Sequence, residues 1–140
     1  MRHTLALLII ACCVCGVATA QDKAQNLKAK FSSYYDGKRY DFIITPEQLT
    51  NSPDWLEGQD NPPLAARRAL EIAKAYLPKV VPNGEQWVNE GINLEPLGEQ
   101  KWVYLIQFYD GKDGLHSSFN LVVLMNGETV EPKITKSKIP

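Results

Sequence analysis

The residues best equipped for reaction chemistry fall in one stretch, Asp110-Gly111-Lys112-Asp113-Gly114-Leu115-His116-Ser117-Ser118. A histidine-assisted serine needs its base and nucleophile to converge. Neighbours along a strand point to opposite faces, so His116 beside Ser117 and Ser118 gives no such geometry. These residues read as the polar junction between a loop and a strand. Asp110, Asp113 and Glu99 could gather at one sheet edge, to hold calcium or to work as an acid/base pair. The order is not the Asp-x-Asp-x-Asp-Gly of a dedicated calcium loop, and Asp/Gly alternation is ordinary turn chemistry. Zinc sites draw on several His or Cys ligands. The expectation is therefore no catalytic residue, no metal site and no cofactor.

Thiol chemistry turns on the N-terminus. Met1-Arg2-His3-Thr4 is a short basic start, Leu5 to Val17 is almost wholly apolar, and Ala18-Thr19-Ala20 has the small-x-small form of a signal-peptidase site. That is the plan of a secretory signal. Cleavage after Ala20 removes Cys12, Cys13 and Cys15, all the cysteines of the chain, and leaves His116 as its only histidine. A competing address is lipidation at Cys12, because Ile9-Ile10-Ala11-Cys12 resembles a bacterial lipobox. Apolar Cys13, Val14 and Cys15 follow it, where a lipidated cysteine is expected to be followed by polar residues. The chain is thus expected to be exported, to the periplasm or to the medium.

Residues 21–140 form one expected domain, long enough to bury a core without disulfides or metal. Loss of Arg2 leaves 14 of the 15 basic residues against 16 acidic ones. Near-neutrality argues against nucleic acid as a partner, which would want a basic face. No later apolar run approaches the ~18 residues of a membrane span.

The positioning elements follow from periodicity. Ala24, Leu27, Phe31 and Tyr34 recur at helical spacing, so residues 22–35 read as a helix stopped at Gly37. The rival is a hairpin turning on Asp36-Gly37. Residues 39–45 read as a strand, and Thr45-Pro46-Glu47-Gln48 as a capped helix start. Asn61-Pro62 opens the clearest helix, with Ala66, Ala69, Leu70, Ala73, Tyr76 and Leu77 on one face and Pro78 as its end. Beyond it the period changes to two. Val88, Ile92 and Leu94 alternate with polar residues, Lys101 to Tyr109 and Phe119 to Met125 are apolar on both faces, and Asn126-Gly127 signals a hairpin. Pro132 puts the last strand at an edge. The fold class expected is α+β in two layers: one main helix packed on an antiparallel meander of about four strands, with an added N-terminal helix and strand.

Aromatics are the remaining candidates. Trp102 and Tyr104 suit the core between sheet and helix, and Trp55 suits an anchor for the proline-rich loop. Tyr34, Tyr35, Trp55 and Trp87 are either core residues or a protein-binding patch, since Tyr and Trp give large contact area at small entropic cost.

Ala65-Ala66…Ala69…Ala73, the strand with Trp102 and Tyr104, and Gly127-x-x-Val130 together resemble the PepSY family over residues 64–134. In those small envelope domains an alanine-rich helix precedes three antiparallel strands. The resemblance implies a non-enzymatic module that binds or restrains envelope proteases. The helix-over-meander plan is also similar to that of cystatins, whose Gln-x-Val-x-Gly inhibitory loop has no counterpart here. The function expected is an exported binding module, an inhibitor or modulator of an envelope or secreted protein of peptidase type. The alternatives are a small carboxylate-dependent hydrolase or lyase on Asp110 and Asp113, and a structural subunit whose edge near Pro132 pairs with a neighbour.

Overall fold

The computed structural model describes residues 29–111 and 118–137. The expected signal, Cys12 and residues 22–28 of the expected N-terminal helix lie outside the described residues, as do Asp113, His116 and Ser117.

Ala29–Tyr35 is a strand, β1, and not a helix; it pairs antiparallel with β2, Lys38–Ile44. The hairpin reading holds because Asp36 and Gly37 both take positive φ, 50° and 64°. That is the turn whose twist matches the flanking strands, and Asp-Gly supplies it at little steric cost. The helical spacing of Phe31 and Tyr34 was coincidental. The true period is two, with Phe31, buried Ser33 and Tyr35 on one face and exposed Lys30, Ser32 and Tyr34 on the other.

A short helix, α1 (Pro46–Asn51), starts as its sequence predicts. The Thr45 hydroxyl accepts from the Gln48 amide and the Gln48 side chain accepts from Thr45 N–H, with Pro46 in the first turn. The long helix, α2, spans Ala66–Val80. It begins later than Asn61-Pro62 suggests, because Leu64 stays outside it and its carbonyl accepts the Tyr104 hydroxyl at 2.8 Å. It also runs past Pro78, which removes one amide donor from the last turn without ending it; Val81 N–H still closes onto the Leu77 carbonyl at 3.0 Å. Ala69, Ala73 and Leu77 are its buried side. A 3₁₀ turn, Gly84–Gln86, folds back on the helix end.

β3 (Val88–Pro96), β4 (Trp102–Tyr109) and β5 (Ser118–Leu124) form an antiparallel sheet in that order. β4 is central, as its apolar character on both faces requires. The chain then reverses at Asn126-Gly127, and Val130 N–H returns to the Val122 carbonyl. The expected four-strand meander stops there. The last strand, β6 (Pro132–Lys136), crosses to the other sheet and pairs with β2, giving the order β1-β2-β6. It is an edge strand, as Pro132 predicts, but of a different sheet. The architecture is mixed α and β, with two three-stranded antiparallel sheets and few helices. No local pattern encodes the crossing, since the β2–β6 pairing joins residues far apart in the chain.

One hydrophobic cluster joins both sheets and α2. Phe119 is its meeting point, with edge-on contacts to Tyr40 at 4.9 Å, Phe42 at 6.0 Å and Trp87 at 6.1 Å between ring centroids. A second tie is polar: the Ser33 hydroxyl on β1 accepts from Asn120 N–H at 2.9 Å and donates to the Asn120 carbonyl at 3.2 Å.

Gly84 tests how closely the 3₁₀ turn sits on α2. A Cβ there would lie 2.7 Å from the backbone of Leu77 and Pro78. Gly84→Ala is expected to destabilise the protein by about 2 kcal/mol, in the range of overpacked interiors, as measured by urea denaturation.

Candidate functional site

The four aromatic candidates do not form one patch. Trp87 is only 7% exposed and Tyr35 packs against it edge-on at 4.8 Å, so both belong to the Phe119 cluster. Burial, followed by the charges of Asp110 and Asp36, pushes the Tyr35 hydroxyl above its ordinary pKa. Trp55 lies elsewhere. Its ring meets Trp102 at 5.2 Å, its Nε1 donates to the Asp60 carbonyl, and its own carbonyl accepts from Trp102 Nε1 at 2.9 Å. Those bonds make it the loop anchor its position suggests. Lys101 reinforces the same loop through Asp54 at 2.7 Å. Tyr34, 43% exposed, is the one of the four that presents a ring to solvent.

Tyr34 stands on the outer face of the β1-β2-β6 sheet. Antiparallel register places it opposite Arg39, Ser32 opposite Asp41, and Lys30 opposite Ile43. Across the next seam Asp41 faces Lys133 and Arg39 faces Thr135. Apart from Asp41 and the half-buried Arg39 these side chains are exposed.

Asp41 organises the face. Its Oδ1 accepts from the Ser32 hydroxyl at 2.6 Å and from Arg39 Nε at 2.8 Å, and its Oδ2 pairs with Lys30 Nζ at 3.1 Å. The Ser32 hydrogen bond, with those of Lys30 and Arg39, outweighs partial burial and holds the carboxyl at about 2, against an ordinary 3.8. Arg39, held this way, lies 5.8 Å from the Tyr34 ring centroid, within cation–π range. The result is an exposed sheet face on which Asp41 orders Lys30 and Arg39, Arg39 lies beside the Tyr34 ring, and the strand residues carry three bases against one acid.

Of the carboxylates expected to gather at a sheet edge, Asp113 lies outside the described residues; among the described residues no group of three or more His, Cys, Asp or Glu is placed to hold a metal. An open groove of about 520 Å³ runs beside the outer face, lined by Ile43, Thr45, Glu47, Gln48, Glu128 and Glu131 among others. Gln48 Nε2 donates to Glu128 Oε1 at 2.8 Å, joining two of its lining residues. No described helix is long and apolar enough to cross a membrane.

No profile of a known protein family, no curated protein and no solved structure matches the chain.

Sequence reasoning missed Asp41 because it stands inside an apolar strand, Tyr40-Asp41-Phe42-Ile43-Ile44. The signal was available in the turn. With Asp36-Gly37 fixed as a two-residue turn, the register puts Ser32 across from Asp41 and leaves Lys30 and Arg39 on the same face.

A carboxyl whose folded pKa is depressed contributes stability that is complete above its unfolded value and lost as pH falls through the folded one. The contribution of Asp41 is therefore expected to disappear between pH 3.8 and about 2. Urea titrations across that window should show a steeper loss for the natural protein than for Asp41→Asn.

Proposed function

We propose that the protein is an exported, non-enzymatic binding module that docks a protein partner on the outer face of its β1-β2-β6 sheet. The observation that carries this reading is the network around Asp41, which holds Lys30 and Arg39 in place and sets Arg39 beside the exposed Tyr34 ring. A carboxylate that stays ionised well below neutral pH suits the ordering of charges and not proton transfer. An aromatic ring beside a preordered arginine is the composition of an interface hot spot, and holding the arginine beforehand lowers the entropy lost on docking.

Within the three strands Lys30, Arg39 and Lys133 share this face with a single carboxylate, Asp41, while Glu47, Glu128 and Glu131 line the groove at its Ile43 end, so the fitting partner presents acidic groups to the strand bases and an apolar point to Tyr34. The PepSY and cystatin resemblances favour an inhibitor or modulator of a peptidase-type protein in the envelope or outside the cell. The secretory signal expected at residues 1–20 supports an encounter there.

The test is capture of partners from the envelope and secreted fractions of the natural host, with the natural protein and with Tyr34→Ala as baits. Loss of a hot-spot ring is expected to weaken retention of the specific partner by about tenfold or more. Thermal stability should change little, because Tyr34 lies outside the hydrophobic cluster. Equal retention by both baits would contradict the assignment of this face.

A further inference from the structure

We propose that the chain assembles head to tail with copies of itself, β6 of one molecule adding as an extra strand to β3 of the next. Among the described residues β3 pairs only with β4, and β6 only with β2, so each sheet offers one unpaired flank there. The inner flanks differ. β5 is engaged by the 128–130 return and by Ser33 of β1.

The two open edges are opposite in charge. β3 carries Glu90 and Glu95 and no base, while β6 carries Lys133 and Lys136 and no acid. Among the described residues none of these four has an ion-pair partner. Two β3 edges brought together would crowd four glutamates, so β3 selects against its own kind and for a basic strand. β6, with two lysines and no acid, likewise selects against a second basic strand.

An antiparallel register with Glu95 opposite Lys133 and Leu94 opposite Ile134 pairs acid with base on one face and two apolar residues on the other; Pro132 then falls opposite Pro96, so the ladder bonds come from residues 133–136 and 92–95. Ile134 is 50% exposed although it lies on the same side of its sheet as buried Tyr40 and Phe42. Leu94 lies on the core side of β3, opposite Tyr104. Even-numbered residues of both strands then share the core side, so Ile134 is covered while the acid and base meet on the other. The bulge between Asn89 and Gly91 confines the pairing to the regular Gly91–Pro96 stretch, long enough for the five residues of β6. Because the joined surfaces are different, the contact is heterologous and joins molecules into a ring or an open chain, not an isologous dimer.

Sedimentation velocity over a concentration series decides it, using the purified protein at low and high salt. Larger species are expected to appear with rising concentration and to weaken with salt, since exposed charges are screened. Glu95→Lys and Lys133→Glu should each weaken association by about tenfold, turning a favourable cross-strand pair into a repulsive one. Circular dichroism checks that each variant is folded. An equimolar mixture of the two variants should restore assembly, because every contact between unlike molecules is then complementary. A natural protein that stays monomeric throughout, or an assembly indifferent to Glu95→Lys, would overturn the proposal. Glu95 lies on the opposite sheet from Tyr34, so this outcome is separable from loss of partner capture.

Discussion

The Phe119 ring holds the structure together. It belongs to β5, yet it takes edge contacts from Tyr40 and Phe42 of β2 and from Trp87 at the entry to β3. Edge-to-face aromatic pairs of this kind add stabilisation beyond the area they bury, about 0.5–1.5 kcal/mol each. Two three-stranded sheets with separate ladders thus share one interior. The Ser33 hydroxyl, bonded to both backbone groups of Asn120, ties β1 to β5 and keeps polar groups at that seam paired.

The inner surface of the first sheet is spent on this contact, so its outer surface is left to solvent. That division follows from the period of two in the β1–β2 hairpin. Tyr40, Phe42 and Ile44 go inward, and Arg39, Asp41 and Ile43 go outward. On the outer side Asp41 does for charge what Phe119 does for apolar area. It gathers Ser32, Lys30 and Arg39 within hydrogen-bonding reach and sets the cation beside Tyr34. The crossing of β6 to this sheet also gives the molecule a basic edge on one sheet and an acidic edge on the other.

Much of the local structure was legible in the sequence. The Thr45–Gln48 capping box, the apolar central strand around Trp102 and Tyr104, the reversal at Asn126-Gly127 and the edge position of Pro132 all appear where their chemistry puts them. The helix expected over residues 22–35 failed in its described part, because apolar spacing in a short segment can match two periods at once. There Ser33 concealed the strand pattern: it is polar, yet inward, for the sake of Asn120. The destination of β6 was not legible, since pairing across the whole chain leaves no mark in a local window. The proposed docking face was legible only in part. Of the four aromatic candidates Tyr34 is the exposed one, while Trp87 and Tyr35 serve the core and Trp55 anchors a loop. Aromatic type alone does not separate these roles.

The most direct test of the shared interior is Phe119→Ala in urea denaturation followed by both tryptophan fluorescence and far-ultraviolet circular dichroism. Removing a fully buried phenylalanine at this junction is expected to cost about 3–5 kcal/mol, with both signals lost in one transition. A loss below about 1 kcal/mol, well short of what a buried ring should cost, would contradict the account. So would two separate transitions in the natural protein.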